Sequence, residues 1–395
     1  MGFLVLYFII PFMLFLVKPI KNNYIYAFYL FFIFAFSYDN VTDYEIFYNQ
    51  FRDIYINGKV QDGTMKDLEI GWFFLYQLFS FTEYGYVIIH VIVNAAVILY
   101  FLYLSRKFNL LNVSIFLFFI TTTIIMQDNT MRQNIPNLLG YYGFTLILGN
   151  KGFNVKLLLK LAALTGIGFL FHYSAILLLL FFFLVNCLRK TSFNLKIVFP
   201  LVVFLSVIRF SGILSDVIRL VSIGLTMIGS DYGDYYVLWF DDQEFEIGGF
   251  KSSIYMLMSL APLIYFKMFS PQRYKNDEWL KLSVNLTIIW VCWTEFLMLN
   301  ILTRMVTYFT WFMIWGYGYM IHHMLSTKKK KELKLAGLAT IMIVFIYYEG
   351  RQINEYFGDN NYMTVFTDEC QQFKTYQRLP NGEDLGTKRV RYRKL

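Results

Sequence analysis

The sequence has few charged side chains and few cysteines for a chain of 395 residues. Charged residues make up 16% of the chain, whereas soluble globular domains carry about 25%. So few charges cannot cover the surface of a soluble protein of this size, which argues against a soluble enzyme. The three cysteines form no spaced motif, so neither a disulfide framework nor a zinc site is indicated.

Apolar residues are abundant instead. They account for 57% of the chain, including 43 Phe, 31 Tyr and 7 Trp, and this excludes a disordered protein. Runs such as LLLLFFFLV (177–185) are continuously apolar and typical of helices, whereas a membrane barrel needs short alternating segments. The composition therefore predicts an all-α integral membrane protein.

Apolar runs predict about twelve transmembrane helices in one bundle over residues 1–348. They lie at 2–17, 23–37, 85–104, 112–126, 135–149, 156–171, 172–188, 195–209, 252–267, 282–300, 305–324 and 334–348. Six connections placed on the cytoplasmic side collect 19 of the 35 Lys and Arg and only three acids. The net charge of +8 is thus an orientation signal, and no nucleic acid is expected as a partner.

This orientation predicts two outer loops and an extracytoplasmic tail. The loops cover 38–84 and 210–251, and the tail covers 349–395 and ends in KRVRYRKL. Residues 70–81 are apolar but too short to span, so they are predicted to form an interfacial or re-entrant helix on the outer face.

Four basic side chains fall at the outer ends of spans: Arg132, His172, Arg209 and Arg304. Guanidinium groups offer a planar fork of donors that suits phosphate oxygens, so a shared anion site is one interpretation. The alternative for each arginine taken singly is that its head group snorkels to the lipid head groups.

His172 lies in FLFHYSAIL, between two spans that must turn there. An imidazole suits proton transfer. The alternative is a structural histidine bonded to a backbone carbonyl at the helix break.

Carboxylates of the outer side are the other candidates. Asp39 and Asp43 precede an amphipathic stretch in which Tyr44, Phe47, Tyr48 and Phe51 recur at helical spacing. Glu69 could face the same space on the outer side of the bundle. Sugar or cation binding and a simple helix cap are both compatible with these acids.

Tyr232 and Tyr235 lie in the second loop among acids and form either a sugar-binding surface or an interfacial aromatic belt. Glu295 lies inside a span and could pair with a buried cation.

The ordered series of segments resembles the EpsG family of Wzy-like polymerases, which make bacterial exopolysaccharide, capsule and O-antigen. The similar segments are YDNVTDYEIFYNQF, DLEIGWFFLYQLF, MRQNIPNLLGYYGF, GFLFHYSAILLL and NILTRMVTYF, from about residue 36 to about 366.

The resemblance implies a GT-C-like or Wzy-like helical bundle in the bacterial cytoplasmic membrane, with its active site facing outward. The enzyme would join oligosaccharide repeat units carried on undecaprenyl diphosphate, without a metal or other cofactor. Chain-length regulators and a flippase would be its partners. The residues implied are His172 and Asp43 or Asp39 in catalysis, Arg132 and Arg304 for the diphosphate, and Gln133 and Ser174 in support. The residue pattern alone adds Arg209 as a candidate for the diphosphate, and Glu69, Tyr232, Tyr235 and Glu295 for sugar binding or support.

Two other functions remain open at this point. A flippase or transporter of lipid-linked sugar would need charges at mid-membrane and paired broken helices. A membrane acyltransferase acting on surface sugars would place its catalytic His near the cytoplasmic side, whereas His172 is predicted to lie outside.

Overall fold

The computed structural model describes residues 9–17, 21–36, 44–58, 68–121, 131–150, 152–211, 249–297 and 306–326, with four single residues between 335 and 342. Within these ranges the chain is helical and contains no strand, which confirms the predicted all-α class. The predicted last span (334–348), most of the second outer loop and the tail lie almost wholly outside these ranges.

The described residues before the break at His172 form eight helices. They are α1 (Ile10–Val17), α2 (Tyr24–Ala35), α3 (Tyr44–Asn57), α4 (Ile70–Phe79), α5 (Gly85–Lys107), α6 (Leu111–Ile120), α7 (Met131–Leu148) and α8 (Val155–Phe171). A 3₁₀ turn (Tyr173–Leu177) then leads into α9 (Leu178–Leu188). Both the amphipathic helix and the short apolar helix predicted in the first outer loop are present, as α3 and α4.

The second part of the chain continues the helical pattern. Its elements are α10 (Leu195–Phe210), α11 (Gly249–Met258), α12 (Ala261–Phe269), α13 (Pro271–Asn276), α14 (Glu278–Leu297), a 3₁₀ turn (Val306–Phe309) and α15 (Thr310–Ser326).

Two stretches among the described residues are long and apolar enough to cross a bilayer. They are Gly85–Lys107, which is α5, and Ser252–Phe269, which joins most of α11 to α12. Four shorter apolar helices of 10–17 residues accompany them. The helical class is confirmed, and the number of twelve spans stays a prediction.

The contacts divide the chain into two units. The first unit contains residues 1–183 and 321–395, and the second contains residues 184–320. In the first unit, α7 packs along α8 and α5, and α5 also packs against α2 and α4. In the second unit, α14 contacts α10, α11 and α13, and α10 packs along α11.

A buried aromatic cluster in the first unit positions the candidate site. Its core consists of Phe47, Phe51, Ile54, Trp72, Tyr76, Tyr86, Ile89, Val93 and Met131. These side chains come from α3, α4, α5 and the first turn of α7. The cluster therefore joins the two helices of the first outer loop to the helices that follow them.

Helix α7 begins earlier than the apolar pattern predicted. The apolar run starts at residue 135, whereas the helix starts at Met131 and includes the polar residues Arg132, Gln133 and Asn134. Gln133 and Asn134 are buried. Helical structure extends into this polar segment because α5 offers it polar partners, described below, which hydropathy alone does not reveal.

Candidate active site

The carboxylate of Glu69 joins two side chains that are distant in the sequence. Its Oε2 accepts a hydrogen bond from Arg132 Nη1 at 3.0 Å, and its Oε1 lies 3.0 Å from His172 Nδ1. Glu69 is only 3% exposed, whereas Arg132 is 17% exposed and His172 is 23% exposed. The acid is thus enclosed, and both bases keep part of their surface accessible.

Each of the three residues lies at the end of a helix. Glu69 is the N-cap of α4, Arg132 is in the first turn of α7, and His172 is the C-cap of α8. Helix termini leave backbone groups unpaired, and the chain can turn there. The three helix ends therefore bring one acid and two bases together from sequence separations of 63 and 103 residues.

Gly71 allows α4 and α8 to approach closely. A Cβ atom at this position would lie 2.7 Å from the carbonyl oxygen of Leu170 and 2.8 Å from the ring of Phe171. The ring of Trp72 packs edge-on against Phe171 with the ring centres 6.0 Å apart. Absence of a side chain at Gly71 thus lets Glu69 reach His172.

His172 adopts an extended backbone between the end of α8 and the following 3₁₀ turn. Its N–H donates to Gly168 O at 2.9 Å, and its C=O accepts from Ala175 N at 2.9 Å. With both backbone groups bonded, the turn is fixed and the imidazole projects from it. The predicted helix break at this histidine is confirmed.

The charges around Glu69 keep it ionised. Burial by itself raises the pKa of a carboxyl, but the hydrogen bond from His172 and the charge of Arg132 outweigh that effect, so the pKa of Glu69 lies below its usual value of 4.5. An ionised carboxylate only accepts hydrogen bonds, so Nδ1 of His172 carries the hydrogen. In the neutral imidazole, Nε2 is then the acceptor.

Arg132 is also held by an aromatic ring. Its guanidinium carbon lies 4.5 Å from the centre of the Phe47 ring on α3. A cation over a ring face is attracted by the ring quadrupole. The amphipathic helix α3 therefore covers one side of the arginine, and Glu69 holds its Nη1.

A polar network that was not predicted supports the start of α7. His90 Nδ1 lies 3.0 Å from Met131 Sδ, and His90 Nε2 lies 3.0 Å from Asn94 Nδ2. Asn134 Nδ2 donates to Asn94 Oδ1 at 3.3 Å. His90 and Asn94 are one helical turn apart within an apolar span, and that spacing is the signal that could have identified the network from the sequence.

The remaining predicted residues are distributed as follows. Gln133 is buried in α7, Ser174 is half-buried in the turn after His172, and Arg209 belongs to the second unit, where it is buried in the last turn of α10. Helix α14 includes position 295, but the side chain of Glu295 lies outside the described residues. So do Asp39, Asp43, Arg304, Tyr232 and Tyr235. Their roles stay predictions.

No group of three or more His, Cys, Asp or Glu side chains that could hold a metal ion occurs among the described residues. The acid, imidazole and guanidinium of the described cluster offer proton transfer and anion binding.

Comparison with known proteins identifies the family. No curated protein and no solved structure matches the chain. The EpsG family matches residues 22–364, a range that contains Glu69, Arg132, His172 and both predicted outer loops. EpsG is related to Wzy-like polysaccharide polymerases, and its match agrees with the apolar helices of an integral membrane protein. The chain therefore belongs to the EpsG family and is a polysaccharide polymerase-like membrane protein.

Proposed function

We propose that the protein is a glycosyltransferase that joins oligosaccharide repeat units carried on undecaprenyl diphosphate into a surface polysaccharide. The reaction takes place at the outer face of the cytoplasmic membrane. The observation that carries this proposal is the contact of one buried carboxylate with both an imidazole and a guanidinium, in a chain of the EpsG family.

His172 is the general base in this proposal. As a hydroxyl oxygen of the next lipid-linked unit forms a bond to the anomeric carbon of the growing chain, its proton moves to His172 Nε2. Glu69 accepts from Nδ1, so it orients the ring and stabilises the imidazolium that forms. Asp43 and Asp39, the alternative bases, lie outside the described residues.

Arg132 stabilises the leaving group. The bond between the anomeric carbon and the diphosphate oxygen breaks, and the electron pair leaves with undecaprenyl diphosphate. Before the reaction Glu69 and Arg132 cancel each other's charge, and protonation of His172 then adds one positive charge. The site thus becomes positive when the diphosphate becomes more negative, and the guanidinium of Arg132 is already in place before the reaction, which is the preorganisation that lowers such barriers. The sequence-based roles of Arg209 and Arg304 in binding the diphosphate stay predictions.

Bound substrate would bring three features to this site: an anionic diphosphate, hydroxyl groups and a lipid tail. The guanidinium would bind the diphosphate, the imidazole would accept a hydrogen bond from a hydroxyl group, and the surrounding apolar helices would contact the lipid tail. A chain-length regulator and a flippase are the expected protein partners in the same membrane.

Purified protein in lipid nanodiscs, supplied with lipid-linked repeat units, should produce a ladder of longer glycans on a gel. His172→Ala and Arg132→Ala should abolish the ladder while the variants keep the melting temperature and size-exclusion profile of a folded protein. Normal ladders from both variants would disprove the proposed site. Movement of labelled substrate between leaflets without any ladder would instead indicate a flippase.

A further inference from the structure

Gln50 is a fully buried side chain that makes no hydrogen bond within the part of the chain that the structure describes. It is 0% exposed, and neither its amide nitrogen nor its amide oxygen has a partner. Glutamine is rarely buried in this way, because an amide removed from water without a bond costs free energy. A native protein that keeps such a group gains something by having it there.

The position of Gln50 in α3 places it beside the candidate active site. Phe47, Gln50 and Ile54 are three and four residues apart, so at 3.6 residues per turn they share one face of the helix. Phe47 and Ile54 belong to the aromatic cluster, and the Phe47 ring lies against Arg132. The unpaired amide is therefore one turn of α3 away from the residue that contacts the guanidinium.

Trp72 is a second buried donor in the same cluster. It is 0% exposed, and its indole Nε1–H has no hydrogen-bond partner within the described ranges. The residue lies three positions after Glu69, in the first turn of α4. Unpaired polar groups therefore occur on both α3 and α4, the two helices that flank Arg132 and Glu69.

These groups suit a sugar ring. A primary amide both donates and accepts, as two neighbouring hydroxyl groups do, and the indole adds a donor. Aromatic side chains surround them, and binding sites for small molecules are mostly apolar with a few placed polar groups. The C–H face of a sugar can pack against aromatic rings such as those that surround Gln50 and Trp72.

We infer that α3 and α4 form a subsite for the sugar next to the reacting bond, in which Gln50 and Trp72 bind its hydroxyl groups. This inference rests on the proposed function, because that sugar is part of a lipid-linked repeat unit. Gln50 and Trp72 bind substrate here, and Glu69, Arg132 and His172 remain the groups that act on the reacting atoms.

The subsite predicts opposite effects of one substitution on stability and on binding. Gln50→Leu removes the unpaired amide, so it should raise the melting temperature of the unliganded protein by about 2–4 °C. The same substitution removes bonds to the sugar, so it should weaken binding of the lipid-linked repeat unit by roughly tenfold. Trp72→Phe, which removes the N–H and keeps a ring, should also weaken binding.

The experiment uses the full chain in nanodiscs, so that no detergent with a sugar head group competes. The ligands are the lipid-linked repeat unit, purified from source cells that lack this chain, and undecaprenyl diphosphate without sugar. Affinity for the second ligand should be unchanged in both variants, since it has no sugar to bind. Gln77→Leu is the matched control, because Gln77 is exposed on α4.

Three outcomes would overturn the inference. If Gln50→Leu lowers the melting temperature, the amide is a structural partner. If both variants bind and polymerise the repeat unit as the wild type does, the sugar lies elsewhere while the proposed function stands. If the wild type binds undecaprenyl diphosphate equally well with and without sugar and forms no ladder, the proposed function fails with it.

Discussion

Gln50 in the first unit and Asn285 in the second unit are both side-chain amides that are fully buried, but only Asn285 is bonded. Asn285 Nδ2 donates to the carbonyl oxygens of Leu188 at 3.1 Å and Thr191 at 2.8 Å, and its Oδ1 accepts from Tyr274 OH at 2.7 Å. Gln50 has no such partner among the described residues. The hydrogen bonds of Asn285 hold the segment after Leu188 in place, whereas the amide of Gln50 can still form hydrogen bonds with a ligand.

The ion pairs of the two units differ in the same way. In the first unit the acid is buried and both of its bases are partly exposed. In the second unit Arg189 is 2% exposed and its partner Glu278 is 45% exposed, at 3.3 Å. The buried member of the pair is thus the base in the second unit and the acid in the first unit, where both bases keep accessible surface.

The largest expected effect tests this contrast between the two acids. Glu69→Gln should lower the rate of ladder formation by about 10² or more, because His172 and Arg132 both lose their charged partner. Glu278→Gln, the same change in the second unit, should leave the rate within about twofold, since Glu278 is not part of the proposed site. Equal losses of ladder rate in the two variants would show that the Glu69 pair has no special role in the reaction.

The amide of the second unit predicts a large loss of stability. Asn285→Leu removes the three hydrogen bonds that this amide makes to Leu188, Thr191 and Tyr274, so it should destabilise the protein by about 2–4 kcal/mol. Thermal unfolding in nanodiscs measures the change, with the exposed Asn276→Leu as control. An unchanged melting temperature would show that the hydrogen bonds of Asn285 do not stabilise the fold. Gln50→Leu should move the melting temperature in the opposite direction.

The network behind Arg132 predicts a smaller effect on the rate. His90→Leu removes the contact with Met131 Sδ at the start of α7, so it should lower the ladder rate by about tenfold through misplacement of Arg132. The loss should shrink when Arg132 is already Lys, because the effect acts through the guanidinium, which Lys lacks. Additive losses in the double variant would indicate a general loss of structure instead.

The smallest expected effect is the pH dependence of stability. Because the folded-state pKa of Glu69 is lowered, its contribution is present above the usual value of 4.5 and is lost as the pH falls through the folded-state pKa. The difference in melting temperature between the wild type and Glu69→Gln should be constant near neutral pH and shrink below 4.5. A difference that already shrinks above 4.5 would contradict the lowered pKa.

Much of the candidate site was predictable from the sequence. Arg132 and His172 were identified because polar groups beside apolar runs are costly and tend to be functional. Glu69 was identified only as a supporting residue, and the structure makes it the common partner of both. A contact between residues 103 positions apart depends on how α4 and α8 pack. Gln50 and His90 were not predicted as site residues, because hydropathy does not show whether a buried polar group is bonded.

The sequence by itself determined the helical class, the amphipathic helix α3, the break at His172 and the family. These features follow from local composition, spacing and an ordered series of motifs, and none of them requires a long-range contact. Only the tertiary structure decided which acid meets which base, and which buried amides are bonded. Hydrogen bonds act over about 3 Å, so the folded positions of side chains decide which of them form.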